Sequence, residues 1–213
     1  MSSEFDHEPI RGLPGYLPPG ERLLWQGAPR WQSLAYRAFH VRELGGYFAL
    51  LILWHAINGL RDGRSLLTVA LATLLPIGLT MLALGVLSGL AYLTARATVY
   101  TITTRRVVIR SGLALPITIN FPYRMVESLN LRTYADGTGD LPLRLVKGER
   151  VGYLVNWPNV RPWHITRTEP MLRAIADAAA VGEILAQALS AAPAALAVTA
   201  SEPRPANREA VAA

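Results

Sequence analysis

Two uncharged runs, residues 44–60 and 65–95, limit what this chain can fold into more than anything else in its 213 residues. An apolar backbone segment without charges is stable only in a core or in lipid, where a helix satisfies its own N–H and C=O groups. The first run, LGGYFALLILWHAINGL, is just long enough to cross a hydrocarbon layer of about 30 Å. The second would be roughly 45 Å long as one helix, more than a single crossing needs. Pro76 within it lacks the N–H its helix position requires, so a kink is expected there. The link Arg61-Asp62-Gly63-Arg64 is too short for anything but a tight hairpin. The expectation is therefore a two-helix transmembrane hairpin, about 44–60 and 66–95 within a segment 41–96.

Composition agrees once it is localised. Charged residues make up 17% of the chain, where soluble domains run nearer a quarter, and the deficit falls almost wholly within the two runs. Arg22, Arg30, Arg37 and Arg42 precede the hairpin, and Arg96, Arg105, Arg106 and Arg110 follow it. The link holds only Arg61 and Arg64. That asymmetry predicts both termini on the cytoplasmic side of the inner membrane. The net charge of +6 then belongs to flanks facing anionic lipid, with Arg96, Arg105 and Arg106 as lipid-contacting candidates, and not to nucleic-acid binding. Residues 1–30 have no apolar stretch of the signal-peptide kind. With no cysteine, disulfides and thiolate chemistry are excluded.

Beyond residue 96 the chain changes character. Val, Ile, Thr and Tyr dominate 98–103 and 107–110, with Thr104-Arg105-Arg106 between them, the pattern of a β-hairpin. Further strands are expected at 115–121, 125–134, 141–147 and 151–156. Asp136-Gly137-Thr138-Gly139-Asp140 reads as a turn. A helix is expected from about 169, with Thr168 as its N-cap and Arg173, Asp177, Glu183 and Gln187 on its polar face. After about 190 the Ala/Pro-rich sequence reads as a disordered tail, 191–213. The fold class is thus α+β: a membrane hairpin, then at 97–190 a small antiparallel β-barrel capped by a C-terminal helix, with 1–40 as a separate N-terminal cytoplasmic segment.

Chemistry-bearing motifs are scarce. Nucleophile elbows, Walker loops, dinucleotide fingerprints and paired metal-ligand histidines are all missing, so no catalytic residue and no metal site is assigned. Asp136 and Asp140 bracket a glycine-rich turn without the spacing of a calcium loop, and a hydrated turn is the better reading. His55 stands inside an apolar helix, where polar residues are costly. It is either a ligand for a chlorophyll-type pigment such as bacteriochlorophyll or a hydrogen-bond partner of Asn58, the neighbouring helix or water. Gly78, Gly85 and Gly89 suit close helix packing, or a homodimer, or simply reflect the frequency of glycine in membrane helices. Trp157-Pro158-Asn159-Val160-Arg161-Pro162-Trp163-His164 is a stiff aromatic loop. Trp157, Pro158, Arg161, Trp163 and His164 form a candidate partner surface, the alternative being that both tryptophans cover the barrel end.

Gly20-Glu21-Arg22-Leu23-Leu24-Trp25-Gln26-Gly27, the two apolar runs and the stretch from Val99 to Gly112 together resemble bacterial membrane-anchored pleckstrin-homology-like proteins. His7-Glu8-Pro9, Gly12-Leu13-Pro14, Arg37-Ala38-Phe39-His40, the Asp136–Asp140 turn, the 157–163 stretch and Pro170-Met171-Leu172-Arg173 are similar, in the same order, to the photosynthetic complex assembly proteins of purple phototrophic bacteria. The second resemblance implies a non-enzymatic factor that needs no cofactor. It would bind reaction-centre subunits and core light-harvesting polypeptides in the inner or intracytoplasmic photosynthetic membrane. Members of that family are described with three membrane segments, and this sequence supports two. A pigment or lipid carrier and a lipid-sensing anchored protein are the alternatives.

Overall fold

The computed structural model describes residues 10–200 apart from 114, 149–150 and 165–167, with backbone alone for 154 and 193–200. His7-Glu8-Pro9 and the tail beyond 200 lie outside the described residues. The chain runs from strand β1 (Leu23–Gly27) into helices α1 (Trp31–Arg37), α2 (Val41–Arg61) and α3 (Leu66–Ala97). Strands β2 (Val99–Thr103), β3 (Arg106–Ser111) and β4 (Ile117–Pro122) follow, then β5 (Val126–Leu129), β6 (Arg132–Thr133) and β7 (Thr138–Leu145). A short helix α4 (Tyr153–Asn156), strand β8 (Met171–Ala176) and helix α5 (Ala178–Ala200) complete it.

Helices α2 and α3 follow one another across the short link and pack side by side. Ser65 caps α3, its Oγ accepting from Thr68 N at 3.2 Å. Gly59 meets Val69 so closely that a Cβ there would sit 3.0 Å from Val69 Cγ2, and Gly45 faces Leu84. Helix α3 continues through Pro76 without interruption. By length and composition α3 is the one helix among the described residues able to cross a membrane. Arg42, Glu43, His55, Asn58 and Arg61 make α2 too polar for the same, so one helix is long and apolar enough to cross where two were expected.

The β part is two antiparallel sheets. One has the order β1-β2-β3-β4. In the other, β5 and β6 lie in succession along one edge of β7, and β8 pairs its other edge. Tyr100, Ile102, Val107, Ile109 and Phe121 of the first sheet pack with Leu141, Leu143 and Leu145 of β7, every second residue as a strand requires. Helix α5 adds Ala178, Val181, Leu185 and Ala188 at helical spacing, leaving Glu183 and Gln187 exposed.

Four expectations are corrected. The expected separate segment 1–40 is corrected over its described residues, because Leu23–Gly27 pairs antiparallel with β2 and completes the first sheet. Residues 151–156 form a helical turn instead of a strand, with Asn156 N donating to Gly152 O. Residues 171–176 are a strand instead of helix, so the helix expected from about 169 with Thr168 as its N-cap does not start there, and α5 opens at Ala178. Leu172 and Ile175 both reach the core at a helix-like spacing because β8 bulges between them: Gly139 pairs Ile175 and Leu141 pairs Leu172. Ala174, at φ +52, is the bulged residue. Finally, α5 runs to Ala200, past the boundary at 190 where disorder was expected.

Candidate functional site

The 157–164 loop sits on the β8 bulge, and the bulge is built from buried polar contacts. Ala174 N donates to Asp140 Oδ1 at 2.8 Å, and Arg173 N to the Tyr100 hydroxyl at 3.1 Å. That hydroxyl donates in turn to Asn159 Oδ1 at 2.6 Å, tying the loop to β2. Burial pushes the Tyr100 phenol up, so it stays protonated and able to donate. Arg173, expected on an exposed helix face, is only 6% exposed. Its terminal nitrogens donate to the carbonyls of Pro158 and Arg37.

These contacts divide the expected partner surface. Pro158 is buried behind a cis Trp157–Pro158 peptide and is withdrawn from any surface role. Trp157 is 46% exposed and meets Phe39 edge-on at 5.3 Å. Trp163 is 90% exposed. The two tryptophans therefore do not cover the end of the sheets. Arg161 donates to Glu169 Oε2 at 2.8 Å, and Arg144 to Glu169 Oε1 at 3.3 Å. Burial works against the charge on Glu169, but the two arginines outweigh it and hold the carboxyl below its usual range. His164 Nδ1 lies 2.9 Å from Pro162 O.

The glycine-rich turn is structural. Asp136 accepts from Thr138 and from Arg37, whose Nη1 is 3.1 Å from Oδ2, and these bonds hold its carboxyl low. Arg37 also donates to Ser33 and stacks 3.5 Å over the Tyr134 ring. Burial and the bond to Asp140 push the Tyr134 phenol up to about 12. Among the described residues no three His, Asp or Glu side chains gather as metal ligands.

The remaining candidates scatter. Arg96 extends from the last turn of α3 over Tyr92. Arg105 and Arg106 lie at the far end of β2, about 16 Å of strand from α3. Arg106 is committed to buried Glu21. Gly78, Gly85 and Gly89 face open space, so none packs α2 against α3; Gly45 and Gly59 do so instead. His55 lines an apolar groove of about 590 Å3 between α2 and α3, beside Leu51, Pro76 and Thr80.

Two antiparallel sheets closed by a C-terminal helix on an apolar stalk are the mark of one class. The chain belongs to the bacterial PH domain family, whose pattern matches residues 62–189. It is also 34% identical over 189 residues, covering 88% of each chain, to a Rhodobacter capsulatus protein described as an uncharacterized 23.7 kDa protein in the puhA 5′ region. No solved structure matches the chain.

Proposed function

We propose that this chain is a membrane-anchored, non-enzymatic assembly factor for the bacterial photosynthetic reaction centre and its core light-harvesting complex. It acts by binding reaction-centre subunits in the membrane. The observation that carries the reading is the similarity, over 88% of each chain, to the Rhodobacter capsulatus protein of the puhA 5′ region, which agrees with the motifs spread along the chain. The apolar surface of the hairpin supports the membrane part. Leu50, Leu53, Trp54, Leu66, Leu67, Leu75, Met81 and Leu82 are all exposed along α2 and α3. So large an apolar surface calls for lipid or other helices around it. In this reading α2 crosses beside α3, its His55 and Asn58 facing groove or partner, and both termini are cytoplasmic. Exposed Trp157 and Trp163 give the soluble part its docking anchors.

Deleting the gene in a phototrophic host tests it. Reaction-centre levels and phototrophic growth should fall, and tagged protein drawn from membranes in mild detergent should bring reaction-centre subunits with it. Normal levels after deletion would end the proposal.

A second reading, a pigment or lipid carrier, draws support from the groove at His55, an imidazole facing an apolar space. Purified protein would then carry a chlorophyll-type absorption band that His55→Ala abolishes.

A further inference from the structure

A cavity of about 1000 Å3 opens between α1, the start of α2, β6 to β8 and the 157–164 loop. Five arginines border it, Arg37, Arg132, Arg144, Arg161 and Arg173, against the carboxylates of Glu43 and Asp140. Most of these charges are committed. Arg144 and Arg161 share Glu169, and Arg37 holds Asp136. Asp140 spends its oxygens on Ala174 N and the Tyr134 hydroxyl. Glu43 is drawn toward His40, 3.8 Å away.

Two guanidinium groups remain without a carboxylate among the described residues. Arg132 has the Tyr134 ring 5.2 Å away. Arg173 is buried with its Nε unpartnered. A buried guanidinium that meets only carbonyls keeps its full positive charge, at a desolvation cost that an anion would offset. The planar donor fork of arginine suits phosphate in particular.

The cavity's position narrows the source of that phosphate. His40 and Glu43, at the start of α2, line it one turn from the first residue of the apolar run. Helix α1 packs on the end of α3 through Trp31 and Tyr92, 6.0 Å between ring centres, and through Leu34 and Ala95. The cavity therefore opens beside the ends of both hairpin helices, at the depth of lipid headgroups if the hairpin is inserted. Tyr36 and Trp163 also line it and are exposed, as aromatic residues at a membrane interface are.

We propose that this cavity binds the phosphate of an anionic membrane phospholipid. Arg132 and Arg173 supply the charge, Arg144 the adjoining donors, and Trp163 lies along the glycerol and upper acyl region. The proposal rests on the membrane-anchored reading, and the test separates the two. Full-length protein in detergent is titrated with short-chain phosphatidylglycerol, short-chain phosphatidylcholine and inorganic phosphate, bound species being counted by native mass spectrometry. Membrane retention through an alkaline wash is measured separately. Release in that wash ends the anchored reading, while the titration reports on the cavity alone.

The expected result is saturable phosphatidylglycerol binding, about tenfold tighter than phosphatidylcholine, and weakened about tenfold by Arg132→Gln. Arg124→Gln, on another face, should leave it unchanged. Trp163→Ala should weaken the lipid but not inorganic phosphate. If Arg132→Gln does not fold, Arg144→Gln reads the same site. Equal binding of both lipids overturns the proposal, as does undiminished binding in the folded arginine variants. Inorganic phosphate binding as tightly as lipid overturns the lipid source. An acidic protein that co-purifies through Arg132, with no lipid bound, replaces the lipid.

Discussion

Arg106 Nε donates to Glu21 Oε1 at 2.9 Å, joining residues 85 positions apart in the chain. The same oxygen accepts from Thr103 Oγ1 at 2.7 Å, and the Glu21 side chain is almost wholly buried. The contact docks the N-terminal segment onto the β2–β3 hairpin, just where β1 begins to pair. An anion buried against two donors is destabilising when either donor is lost, since the one that remains offsets only part of its buried charge.

Glu21→Gln should therefore lower stability by about 2 kcal/mol. Arg106→Gln should do likewise, and the double variant should lose clearly less than the sum of both. Denaturant unfolding of the detergent-solubilised chain measures all three. Full additivity would mean that the two side chains act independently.

Glu169 and Asp136 set an acid limit. Both carboxyls are held below their ordinary range in the folded chain, so each binds a proton more readily unfolded than folded. Their contribution is complete above the unfolded carboxyl pKa of about 4 and is lost as pH falls toward the lower folded values. Melting temperature should fall on acidification below about pH 4, and Glu169→Gln should flatten that slope. At neutral pH the same variant should cost about 1–2 kcal/mol, because Arg144 and Arg161 keep partial access to water.

Two glycines should respond oppositely to alanine. A Cβ on Gly139 would lie 2.5 Å from both Ala178 Cβ and Arg132 O, so Gly139→Ala should destabilise by about 2 kcal/mol or more. Gly85 faces open space, so Gly85→Ala should leave the folded chain as stable or slightly more so. Thermal unfolding of both variants checks this. A Gly85→Ala chain that melts normally yet loses a membrane partner would locate that partner on this face of α3.

Trp163 separates folding from recognition. With its side chain almost fully exposed, Trp163→Ala should change stability by no more than about 0.5 kcal/mol. Under the proposed function it should nevertheless reduce recovery of reaction-centre subunits with the tagged protein. Undiminished recovery would remove this side chain from the docking surface.

The family-like motifs prove to be largely structural. Gly27 sits under the Trp25 ring, where a Cβ would come within 2.4 Å of it, and Gln26 bonds Thr101 and Arg11. Trp25-Gln26-Gly27 thus reports how β1 is seated, not a reactive group. Pro158, Asn159 and Val160 of the aromatic loop are likewise buried support. Trp157 and Trp163 could be singled out from sequence as unusual, but nothing local told exposed Trp163 from buried Pro158. Arg132 gave no signal, and Arg173 read as an exposed helix position. That neither has a carboxylate partner among the described residues depends on which residues from distant strands arrive beside them.

Local pattern alone determined the two long helices, the Val99–Ser111 hairpin, the alternation of Leu141, Leu143 and Leu145, and the amphipathic face of α5. Each is a property of one segment's own period, and the physics of burying one face needs no knowledge of the partner. Tertiary structure decided that Leu23–Gly27 is a strand, that 171–176 is a strand and not the start of a helix, and that five arginines share one cavity. In β8 a bulge gives a strand the three-residue spacing of a helix. The backbone of the bulge, at Arg173 and Ala174, is satisfied by Asp140, Tyr100 and Arg30, residues far away in the chain. A periodicity reading cannot include such partners, because the competing conformations differ in where their hydrogen bonds go, not in which side chains are apolar.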